Sequence, residues 1–505
     1  MTQTRVHAEE LRQRIMTAEQ AAAFIENDMT VGMSGFTGAG YPKAVPQALA
    51  KRIEAAHAEN KPFQIRVLTG ASTAPELDGV LARVDGIGMR TPYQSDPILR
   101  DRINAGSLDY FDMHLSHVAQ HTWFGFYGEV DIALIEVAGI LPDGRLMPSS
   151  SVGNNKTWID QAKKVIVEVN SWQPEQLYGM HDIYYGTALP PNRKPIPLVR
   201  PDDRFGEKAF FCDPKKIVAI VETDAPDRNT PFSPLDADSK RIAEHVIDFL
   251  NNEVSAGRLP KNLLPLQSGV GNIANAVLAG LGNSQFRGLT AFTEVIQDGM
   301  LELLKSGVLR MASGTSFSLS PDGIQEFIDN IAFYRERIVL RPQEMSNHPE
   351  LIRRLGCLSM NGMIEADIYG NVNSTHLMAS RIQNGIGGSG DFARNAYISM
   401  FVTPSMAKKG QISCIVPMVS HVDHTEHDVA VIITEQGLAD LRGLSPKQRA
   451  RKIIDKCVHP SYRDMLTDYF ERACRDSFGK HTPHLLTEVF SWHQRYIETG
   501  TMQKA

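Results

Sequence analysis

The stretch Gly32-Met-Ser-Gly35-Phe-Thr-Gly38-Ala-Gly40 lies between two different residue patterns. The run before it, Met29–Met33, is apolar and of strand length, whereas Tyr41–Ala56 repeats apolar residues at helical spacing. A strand that passes through a turn into a helix is the building unit of an α/β sheet. The stretch therefore predicts an α/β fold.

Apolar runs of strand length alternate with helical patterns along most of the chain. The long helical pattern Asp238–Ala256, for example, places Ile242, Val246, Phe249 and Leu250 on one stripe. The further strand-like runs are Gln64–Leu68, Ile132–Glu136, Lys164–Glu168, Gly288–Phe292, Gln411–Val416 and Ala430–Thr434. This alternation predicts a largely parallel sheet.

The second half of the chain resembles the first. Gln267-Ser-Gly269-Val-Gly271-Asn leads into a helical pattern that begins near Ile273, as the Gly32–Gly40 stretch does near Tyr41. A looser, proline-rich stretch at Thr223–Asp238 separates the halves. The length of 505 residues suits two or three domains. We expect two tandem open α/β domains from an internal duplication, residues 1–230 and 231–505, with a helical C-terminal extension.

The composition excludes two classes of partner. The chain has 52 basic and 58 acidic residues and a net charge of −6, which argues against nucleic-acid binding through bulk positive charge. The basic run Lys447–Lys456 is interpreted as one face of a helix. The longest apolar runs, such as Ile217–Val221 and Val429–Ile433, are far shorter than the about 20 residues of a membrane span. We expect no nucleic-acid and no membrane partner.

The N-terminus and the cysteines indicate the compartment. Met1–Arg14 is polar and lacks the apolar region of a secretory signal. The five cysteines are widely spaced, without a CxxC pair, which argues against disulfides and thiolate metal sites. We therefore expect a cytoplasmic protein.

The segment that most strongly suggests a catalytic role is Phe292-Thr-Glu294-Val-Ile-Gln-Asp298-Gly299. Glu294 ends an apolar strand, and the C-terminal ends of strands in open α/β sheets face the ligand crevice. Packing does not require a carboxylate here, and its burial is costly unless it is paired. The alternative interpretation is an acid that favours the start of the next helix.

Two glycine-rich segments suit ligand binding through the backbone. Gln383-Asn-Gly385-Ile-Gly-Gly388-Ser-Gly390 matches GxGxxG, but no acidic residue closes a second strand about 20 residues later, so the dinucleotide interpretation fails. The segment either lets a ligand approach closely or is a plain surface loop. The junction Leu264–Ile273 suits a phosphate or an oxyanion, unless it is only a tight turn.

Two further segments carry acidic residues or histidines. His421-Val-Asp423-His424-Thr-Glu426-His427-Asp428 has histidine spacing that suits a metal, but no helix holds that spacing, and we favour a hydrogen-bonded loop. Glu435 ends another strand, where it either caps the next helix or places a charge near the cleft.

In combination, the segment around Glu294, the loop Gly385–Gly390 and the tail Ile433-Thr-Glu-Gln-Gly-Leu-Ala-Asp-Leu-Arg-Gly443 resemble class I CoA-transferases. Within that class they are similar to the acetyl-CoA hydrolase/transferase branch, and most similar to its succinyl-CoA:acetate type. The resemblance covers nearly the whole chain. Thr293-Glu294-Val295 stands where the heteromeric members have Ser-Glu-Asn-Gly, which favours the acetate-using branch.

The resemblance implies that Glu294 is a nucleophile in CoA transfer from succinyl-CoA to acetate. An acyl-glutamyl anhydride and a glutamyl-CoA thioester form in turn, with ping-pong kinetics. The resemblance also implies tandem CoA-transferase-type domains, with acyl-CoA and small carboxylates as substrates. It implies no cofactor, since CoA is itself a substrate. It further implies a homodimer in acetate metabolism linked to the tricarboxylic acid cycle.

The resemblance further assigns roles to individual residues. The backbone N–H groups of Val270 and Gly388 match oxyanion donors. Asn347 matches a residue that hydrogen-bonds the pantetheine of CoA or the catalytic glutamate. The residues that match the CoA site are Leu264, Pro265, Leu266, Gln267, Ser268, Met363, Ile364, Asn384, Gly388, Lys408 and Lys409, whose lysines suit a phosphate by charge.

The carboxylic substrate is expected between the domains, near the loops Gly35–Gly40 and Thr69–Thr73. Ala71 offers no hydroxyl group there. The residues expected to serve this substrate are Thr69, Ser72, Arg228 and Glu435, where Arg228 either pairs with Glu435 or attracts carboxylates.

Two rival functions stay open at this point. In a thioesterase, water would hydrolyse the same glutamyl-CoA thioester, so that the exclusion of water from a closed cleft makes the difference. A non-enzymatic effector-binding module on a related α/β fold is the second rival.

Overall fold

The structure is a computed structural model that describes residues 4–228 and 234–504. Its strands, in chain order, are β1 Thr30–Met33, β2 Ile65–Leu68, β3 Ile87–Thr91, β4 Asp109–Tyr110, β5 Val130–Ile140, β6 Leu146–Pro148, β7 Ala162–Asn170, β8 Ile217–Thr223, β9 Leu266–Ser268, β10 Leu289–Phe292, β11 Val295–Gln297, β12 Leu309–Gly314, β13 Ser316–Ser318, β14 Ile338–Leu340, β15 Leu358–Gly362, β16 Glu365–Asp367, β17 Val372–Asn373, β18 His376–Leu377, β19 Arg381–Ile382, β20 Ile398–Val402, β21 Met406–Ala407, β22 Ile412–Ser413, β23 Ile415–Val416, β24 Val431–Thr434 and β25 Gly437–Asp440.

The helices lie between these strands and after the last of them. They are α1 Ala18–Ala22, α2 Ala44–Ala58, α3 Val80–Arg83, α4 Pro97–Asn104, α5 Leu115–Trp123, α6 Asn155–Gln161, α7 Ala237–Ser255, α8 Asn272–Asn283, α9 Asp298–Lys305, α10 Pro321–Asp329, α11 Ile331–Arg335, α12 Gln343–Ser346, α13 Pro349–Leu355, α14 Ser389–Asn395, α15 Pro446–Cys457, α16 Pro460–Asp476 and α17 Ser491–Thr499. Short 3₁₀ or π-helical turns lie at Glu9–Arg14, Pro75–Gly79, Glu175–Leu177, Pro214–Lys216 and Lys408–Gly410.

The first of two compact units contains the chain up to residue 228 together with Thr290–Lys305 and Leu309–Leu355. Its large sheet has the order β4-β3-β2-β1-β5-β7-β8, all parallel, with β6 antiparallel to β5. Strands of such a sheet are covered on both faces, and in β5 only Asp131 is not fully buried. Val31 and Leu49 pack in the core beneath this sheet.

The later segments of the first unit add further strands, of which β12 and β14 are parallel neighbours. Their order is β14-β12-β10, and Ala312 of β12 lies opposite Ile338 of β14. The short strands β11 and β13 are also parallel. A bridge between Ser151 and Ser316 joins this part to the N-terminal residues. The unit is therefore built from segments that are distant in the sequence.

The second unit contains residues 234–289, 306–308 and 356–504. Its main strands follow the order β9-β15-β20-β24-β25 and are parallel except for the final pair, β24 and β25. The helices α15, α16 and α17 contribute Ile453, Tyr462 and Trp492 to its core. In α7 the predicted apolar stripe is buried.

The structure confirms the α/β class with parallel sheets and the helical C-terminal part. The two glycine-rich turns connect β1 to α2 and β9 to α8. The helix predicted from Tyr41 begins at Ala44 instead, because the Glu168 carboxylate accepts hydrogen bonds from the N–H groups of Lys43, Ala44 and Val45 and so caps the helix there.

The prediction of a single strand over Gln411–Val416 was wrong. It is divided into β22, which pairs with β21, and β23, which pairs with β16. The division lies at Cys414, whose N–H donates to Ser405 O at 2.9 Å. The two short strands therefore belong to two different small sheets.

The predicted boundary near residue 230 lies outside the described residues. Glu294 and Asn347, which the sequence placed in the domain 231–505, belong to the compact unit that contains the N-terminal residues. The division into two sequence domains stays a prediction. Across the part of the chain that the structure describes, no helix has the length and apolarity needed to cross a membrane.

Candidate active site

Glu294 lies in a bend between β10 and β11 whose backbone is fixed on both sides. The N–H of Thr293 donates to Ser313 O at 2.9 Å. The carbonyl oxygen of Glu294 accepts hydrogen bonds from Thr315 N at 2.7 Å and from Ser316 N at 3.2 Å. The bend therefore holds the side chain on a rigid base, which a reactive group needs for accurate positioning.

The Glu294 carboxylate is half-buried and has a built-in hydrogen-bond donor. Asn347 Nδ2 donates to its Oε1 at 2.9 Å. Asn347 is fully buried, and it is held by Ser346 Oγ, which donates to its Oδ1 at 2.9 Å, and by its own N–H, which donates to Gln343 O at 2.9 Å. Burial raises the pKa of Glu294 to about 7, although the bond from Asn347 opposes this shift. A perturbed carboxylate of this kind is typical of a reactive group.

We expect kcat/KM for acyl-CoA to fall below about pH 7, by about tenfold per pH unit once Glu294 is protonated. The reason is that the nucleophilic role which the resemblance implies for Glu294 requires the ionised carboxylate, and burial raises its pKa to about 7. With a glutamate of ordinary pKa, kcat/KM would not change until a much lower pH. The measurement is kcat/KM between about pH 5 and about pH 9. A flat profile over this range would contradict the assignment.

Side chains from the N-terminal half form an apolar wall beside Glu294. Phe36, Ala71 and Leu115 pack with Val295, the residue that follows Glu294 in the chain. The two loops in which the sequence predicted a carboxylate subsite therefore lie next to the bend, inside one compact unit.

Two glycines allow this close approach. Gly35 has φ of 125°, and a Cβ there would lie 2.7 Å from Tyr41 Cβ. A Cβ on Gly70 would lie 2.8 Å from Gly35 O and 3.0 Å from Gln343 Oε1. Gln343 begins α12, the short helix that Asn347 follows. The glycines therefore let the loops contact the helix that positions the partner of Glu294.

A buried cluster of charged side chains, formed by Lys43, Glu136 and Asp227, holds the end of the glycine-rich loop at Gly40. Lys43 Nζ donates to Glu136 at 2.5 Å and to Asp227 at 3.0 Å, and Asp227 accepts a further bond from Gly40 N at 3.0 Å. Burial raises the pKa of Glu136 to about 7, against the effect of Lys43. Burial lowers the pKa of Lys43, but the two carboxylates outweigh it, and the pKa lies above its ordinary value. Asp227 directly precedes Arg228, so the cluster also holds the base of that residue.

Thr69 and Ser72 carry the hydroxyl groups that are expected to contact the carboxylic substrate. Thr69 Oγ1 donates to Ala71 O at 2.5 Å, so this hydroxyl holds its own loop. Ser72 is buried in the same loop. A role of either hydroxyl in substrate binding stays a prediction.

Arg228 and Glu435 each have partners inside their own unit. Arg228 forms a long ion pair of 3.7 Å with Glu76, and its side chain is 57% exposed. Glu435 accepts hydrogen bonds from Ser405 N at 2.7 Å, from Ser405 Oγ and from Gln436 Nε2 at 2.9 Å. Burial raises the pKa of Glu435, but these bonds outweigh it, and the pKa is lowered. The expected pairing of Arg228 with Glu435 stays a prediction.

In the second unit, two segments of the predicted CoA site lie side by side. The parallel neighbours β9 and β15 end at Ser268 and Gly362, so Met363–Ile364 continues beside the glycine turn. The N–H of Gly269 donates to Met360 O at 2.9 Å. The carboxyl ends of parallel strands form the ligand crevice of open α/β sheets.

The two predicted oxyanion donors lie in turns that lead into helices. Val270 is 55% exposed, and Gly271, with φ of 124°, is the N-cap of α8. Gly388 is the N-cap of α14. The first N–H groups of a helix lack intrahelical acceptors, which suits donors for a ligand. Val270 and Gly388 belong to the second unit and Glu294 to the first, and their shared role stays a prediction.

The other residues that match the CoA site differ in accessibility. Gln267 is buried, and its Nε2 donates to Asn361 Oδ1 at 3.1 Å, so its side chain is used inside the sheet. Lys408 is exposed in a short 3₁₀ turn, where a phosphate can reach it. The buried members are Pro265, Leu266 and Ser268, and the half-buried members are Leu264, Ile364 and Asn384.

The segment His421–Asp428 is a hydrogen-bonded loop. Asp423 Oδ2 accepts from Ser374 N at 2.7 Å and from Thr375 Oγ1 at 2.8 Å, and its Oδ1 lies 3.4 Å from His421 Nε2. Within residues 4–228 and 234–504, no group of three or more His, Cys, Asp or Glu side chains is placed to hold a metal ion.

The sequence analysis did not identify Lys43, Asp227 and Ser405, whose hydrogen bonds hold the glycine-rich loop and Glu435. Lys43 carried one signal, since it is the one charged residue in the sequence between Val31 and Ala50, which includes the glycine-rich turn. Asp227 and Ser405 carried none, because their partners lie 184 and 30 residues away in the chain.

Two family models match the chain. The acetyl-CoA hydrolase/transferase N-terminal domain matches residues 1–222, and the acetyl-CoA hydrolase/transferase C-terminal domain matches residues 323–470.

Individual relatives match almost the whole chain. The succinyl-CoA:acetate CoA-transferase of Clostridium kluyveri is 53% identical over 503 residues, which cover 100% of this chain and 93% of the relative. The acetyl-CoA hydrolase of Schizosaccharomyces pombe is 45% identical over 514 residues, 99% of this chain and 98% of the relative. The solved structure of 4-hydroxybutyrate CoA-transferase from Porphyromonas gingivalis shares the fold, with a TM-score of 0.62 and 21% identity over 92% of this chain and 99% of that one.

Proposed function

Because the chain belongs to the acetyl-CoA hydrolase/transferase family, we propose that it transfers CoA from succinyl-CoA to acetate. The relative from Clostridium kluyveri is named for this reaction, whereas the relative from Schizosaccharomyces pombe is named for hydrolysis of acetyl-CoA. The observation that carries the proposal is the desolvated Glu294 carboxylate with its donor Asn347. The proposal includes a cytoplasmic homodimer that works in acetate metabolism, which the resemblance to class I CoA-transferases supports.

The first half of the reaction loads CoA onto the enzyme. The Glu294 carboxylate attacks the thioester carbonyl of succinyl-CoA, the C–S bond breaks, and a succinyl-glutamyl anhydride and the CoA thiolate result. The thiolate then attacks the glutamyl carbonyl of the anhydride. A glutamyl-CoA thioester forms, and succinate leaves as a carboxylate.

The second half repeats these steps in reverse with acetate. The acetate carboxylate attacks the glutamyl-CoA carbonyl and expels the thiolate, which leaves an acetyl-glutamyl anhydride. The thiolate attacks the acetyl carbonyl, so that acetyl-CoA is released and the Glu294 carboxylate is restored. A carboxylate suits this chemistry because its anhydride stays activated at both carbonyl groups, and the thioester bond is conserved without ATP.

Each addition to a carbonyl group passes through a tetrahedral oxyanion. We assign its stabilisation to the N–H groups of Val270 and Gly388, each of which is worth roughly 3–4 kcal/mol in comparable oxyanion holes. Support comes from their positions in turns that precede α8 and α14. The Asn347 amide keeps the Glu294 carboxylate in one orientation for each attack.

The apolar wall beside Glu294 supports a small acid as acceptor. Phe36, Ala71, Leu115 and Val295 present hydrocarbon surface next to the reactive bend. The methyl group of acetate buries well against such a wall.

The choice between transfer and hydrolysis depends on the acceptor. We expect the loss of succinyl-CoA to be at least about tenfold faster with acetate than without it, because a closed site excludes water from the glutamyl-CoA thioester. Thioester absorbance, with acetyl-CoA measured by chromatography, gives both rates. Loss of succinyl-CoA that is equally fast without acetate would identify a hydrolase. Glu294→Gln serves as the blank, since both reactions require this carboxylate.

A further inference from the structure

His424 is a buried histidine for which the proposed chemistry has no use. It is 2% exposed, and its ring lies against Phe401 with a centroid distance of 4.8 Å. Its backbone is fixed by a bridge to Val372, in which His424 N donates to Val372 O at 3.1 Å and Val372 N donates to His424 O at 2.8 Å. A polar ring buried in this way is costly unless its nitrogen atoms form hydrogen bonds.

The ring nitrogen Nε2 of His424 meets the end of the glycine-rich loop. It lies 3.0 Å from Ser389 Oγ and 3.4 Å from Ser374 Oγ. Ser389 Oγ also lies 2.8 Å from Ile386 O, which can only accept a hydrogen bond. Since a serine hydroxyl has a single proton and gives it to this carbonyl, it accepts from His424. This arrangement requires a proton on Nε2 of His424.

This pair of hydrogen bonds closes the turn that contains Gly388. The bond from Ser389 Oγ to Ile386 O spans Gly387, with φ of 59°, and Gly388, with φ of −94°. Glycines restrict their own backbone less than any other residue, so an external contact must fix the direction of their N–H groups. The buried His424, whose own backbone is bridged to Val372, supplies such a contact.

We propose that His424 is a positioning residue, which orients the Gly388 N–H toward the reaction oxyanion through its hydrogen bond to Ser389. The proposal rests on the proposed function, in which this N–H is an oxyanion donor. His424 itself touches neither CoA nor the acyl group in this role.

Three substitutions isolate the hydrogen bond. His424→Phe keeps an aromatic ring against Phe401 but has no N–H, His424→Gln keeps an amide N–H near the position of Nε2, and Ser389→Ala removes the same link from the other side. His427→Asn is the matched control, because His427 is exposed on the same loop. Each variant is characterised by kcat, by KM for acyl-CoA, by the single-turnover rate of CoA attachment to the protein, and by its melting temperature.

We expect His424→Phe and Ser389→Ala each to lower kcat and the attachment rate by about tenfold, because a misdirected donor forfeits part of the oxyanion stabilisation. KM should change much less than kcat, since the oxyanion to which the Gly388 N–H donates forms only during the reaction. His424→Gln should stay within about threefold of the natural protein, and His427→Asn should equal it. The double variant His424→Phe/Ser389→Ala should lose no more than the poorer single variant, because both remove one interaction.

Unchanged attachment rates in folded His424→Phe and Ser389→Ala, or losses that multiply in the double variant, would overturn the positioning role. If His424→Phe does not fold, Ser389→Ala and His424→Gln decide the question by the same criteria. Attachment of CoA to the natural protein at Glu294 keeps the proposed function intact in all these outcomes. The absence of any CoA attachment and transfer in the natural protein would instead overturn the proposed function, and the role of His424 with it.

Discussion

Glu294→Gln is expected to lower CoA transfer by at least about 10⁴-fold, as the loss of a covalent nucleophile does in other enzymes. Glutamine keeps the size of the side chain and the capacity to accept a hydrogen bond from Asn347. It has no anionic oxygen, so neither the anhydride nor the thioester can form. Initial rates of acetyl-CoA formation from succinyl-CoA and acetate measure the loss. Glu302→Gln, an exposed glutamate on α9, is the control and should retain full activity.

The stability of Glu294→Gln separates lost chemistry from lost folding. Burial raises the pKa of Glu294 above its ordinary value of 4.5, so the ionised side chain destabilises the fold. This cost is absent below about pH 4, increases up to about pH 7 and is constant above it, with a size of roughly 1–3 kcal/mol. The variant should therefore melt at the same or a higher temperature than the natural protein at about pH 8. Activity near the natural level, or a much lower melting temperature, would contradict this explanation.

Asn347→Ala is expected to lower kcat/KM by about 10- to 100-fold, which corresponds to one hydrogen bond to a charged group. The substitution removes the donor that holds Oε1 of Glu294 at 2.9 Å. Because this bond favours the ionised form, its loss should also raise the pKa of Glu294 and move the acid limb of the pH profile to higher pH. Profiles of kcat/KM against pH for both proteins measure the two effects together.

Ser346→Ala is expected to have a smaller effect than Asn347→Ala. Ser346 Oγ donates to Asn347 Oδ1 at 2.9 Å, so its loss should loosen the amide without removing it. We expect a loss of activity of only about two- to fivefold, with the acid limb nearly unchanged. An Asn347→Ala profile with the same acid limb as the natural protein would show that Asn347 does not act on the Glu294 carboxylate.

The bend that contains Glu294 could be located from the sequence because strand ends leave a local signature. Glu294 follows an apolar run and precedes a helix, and the structure places it between β10 and β11 before α9. Of the two partners expected for Asn347, the pantetheine of CoA and this glutamate, the structure shows the glutamate, which accepts from Asn347 Nδ2 at 2.9 Å. The glycine turns were recognisable for the same local reason, since each joins a strand to a helix within a few residues.

The supports of the site had no comparable signature, because they join segments distant in the chain. Lys43 and Asp227 are 184 residues apart, and periodicity within a window carries no information about such a pair. The association of Glu294 with the N-terminal loops likewise depends on contacts such as the Ser151–Ser316 bridge. The spacing of the histidines around His424 left the choice between a metal site and a loop, and the bond of His424 to Ser389 joins residues that are 35 positions apart.

Covalent attachment of CoA to Glu294 is tested most directly by mass spectrometry. The protein is incubated with acetyl-CoA without an acceptor acid, quenched in acid, and examined intact and as peptides. We predict a mass increase equal to CoA less one water, as a thioester on the peptide that contains Glu294, its removal by added acetate, and no increase in Glu294→Gln. A natural protein that transfers CoA without this adduct, or an adduct that persists in Glu294→Gln, would contradict the glutamyl-CoA mechanism.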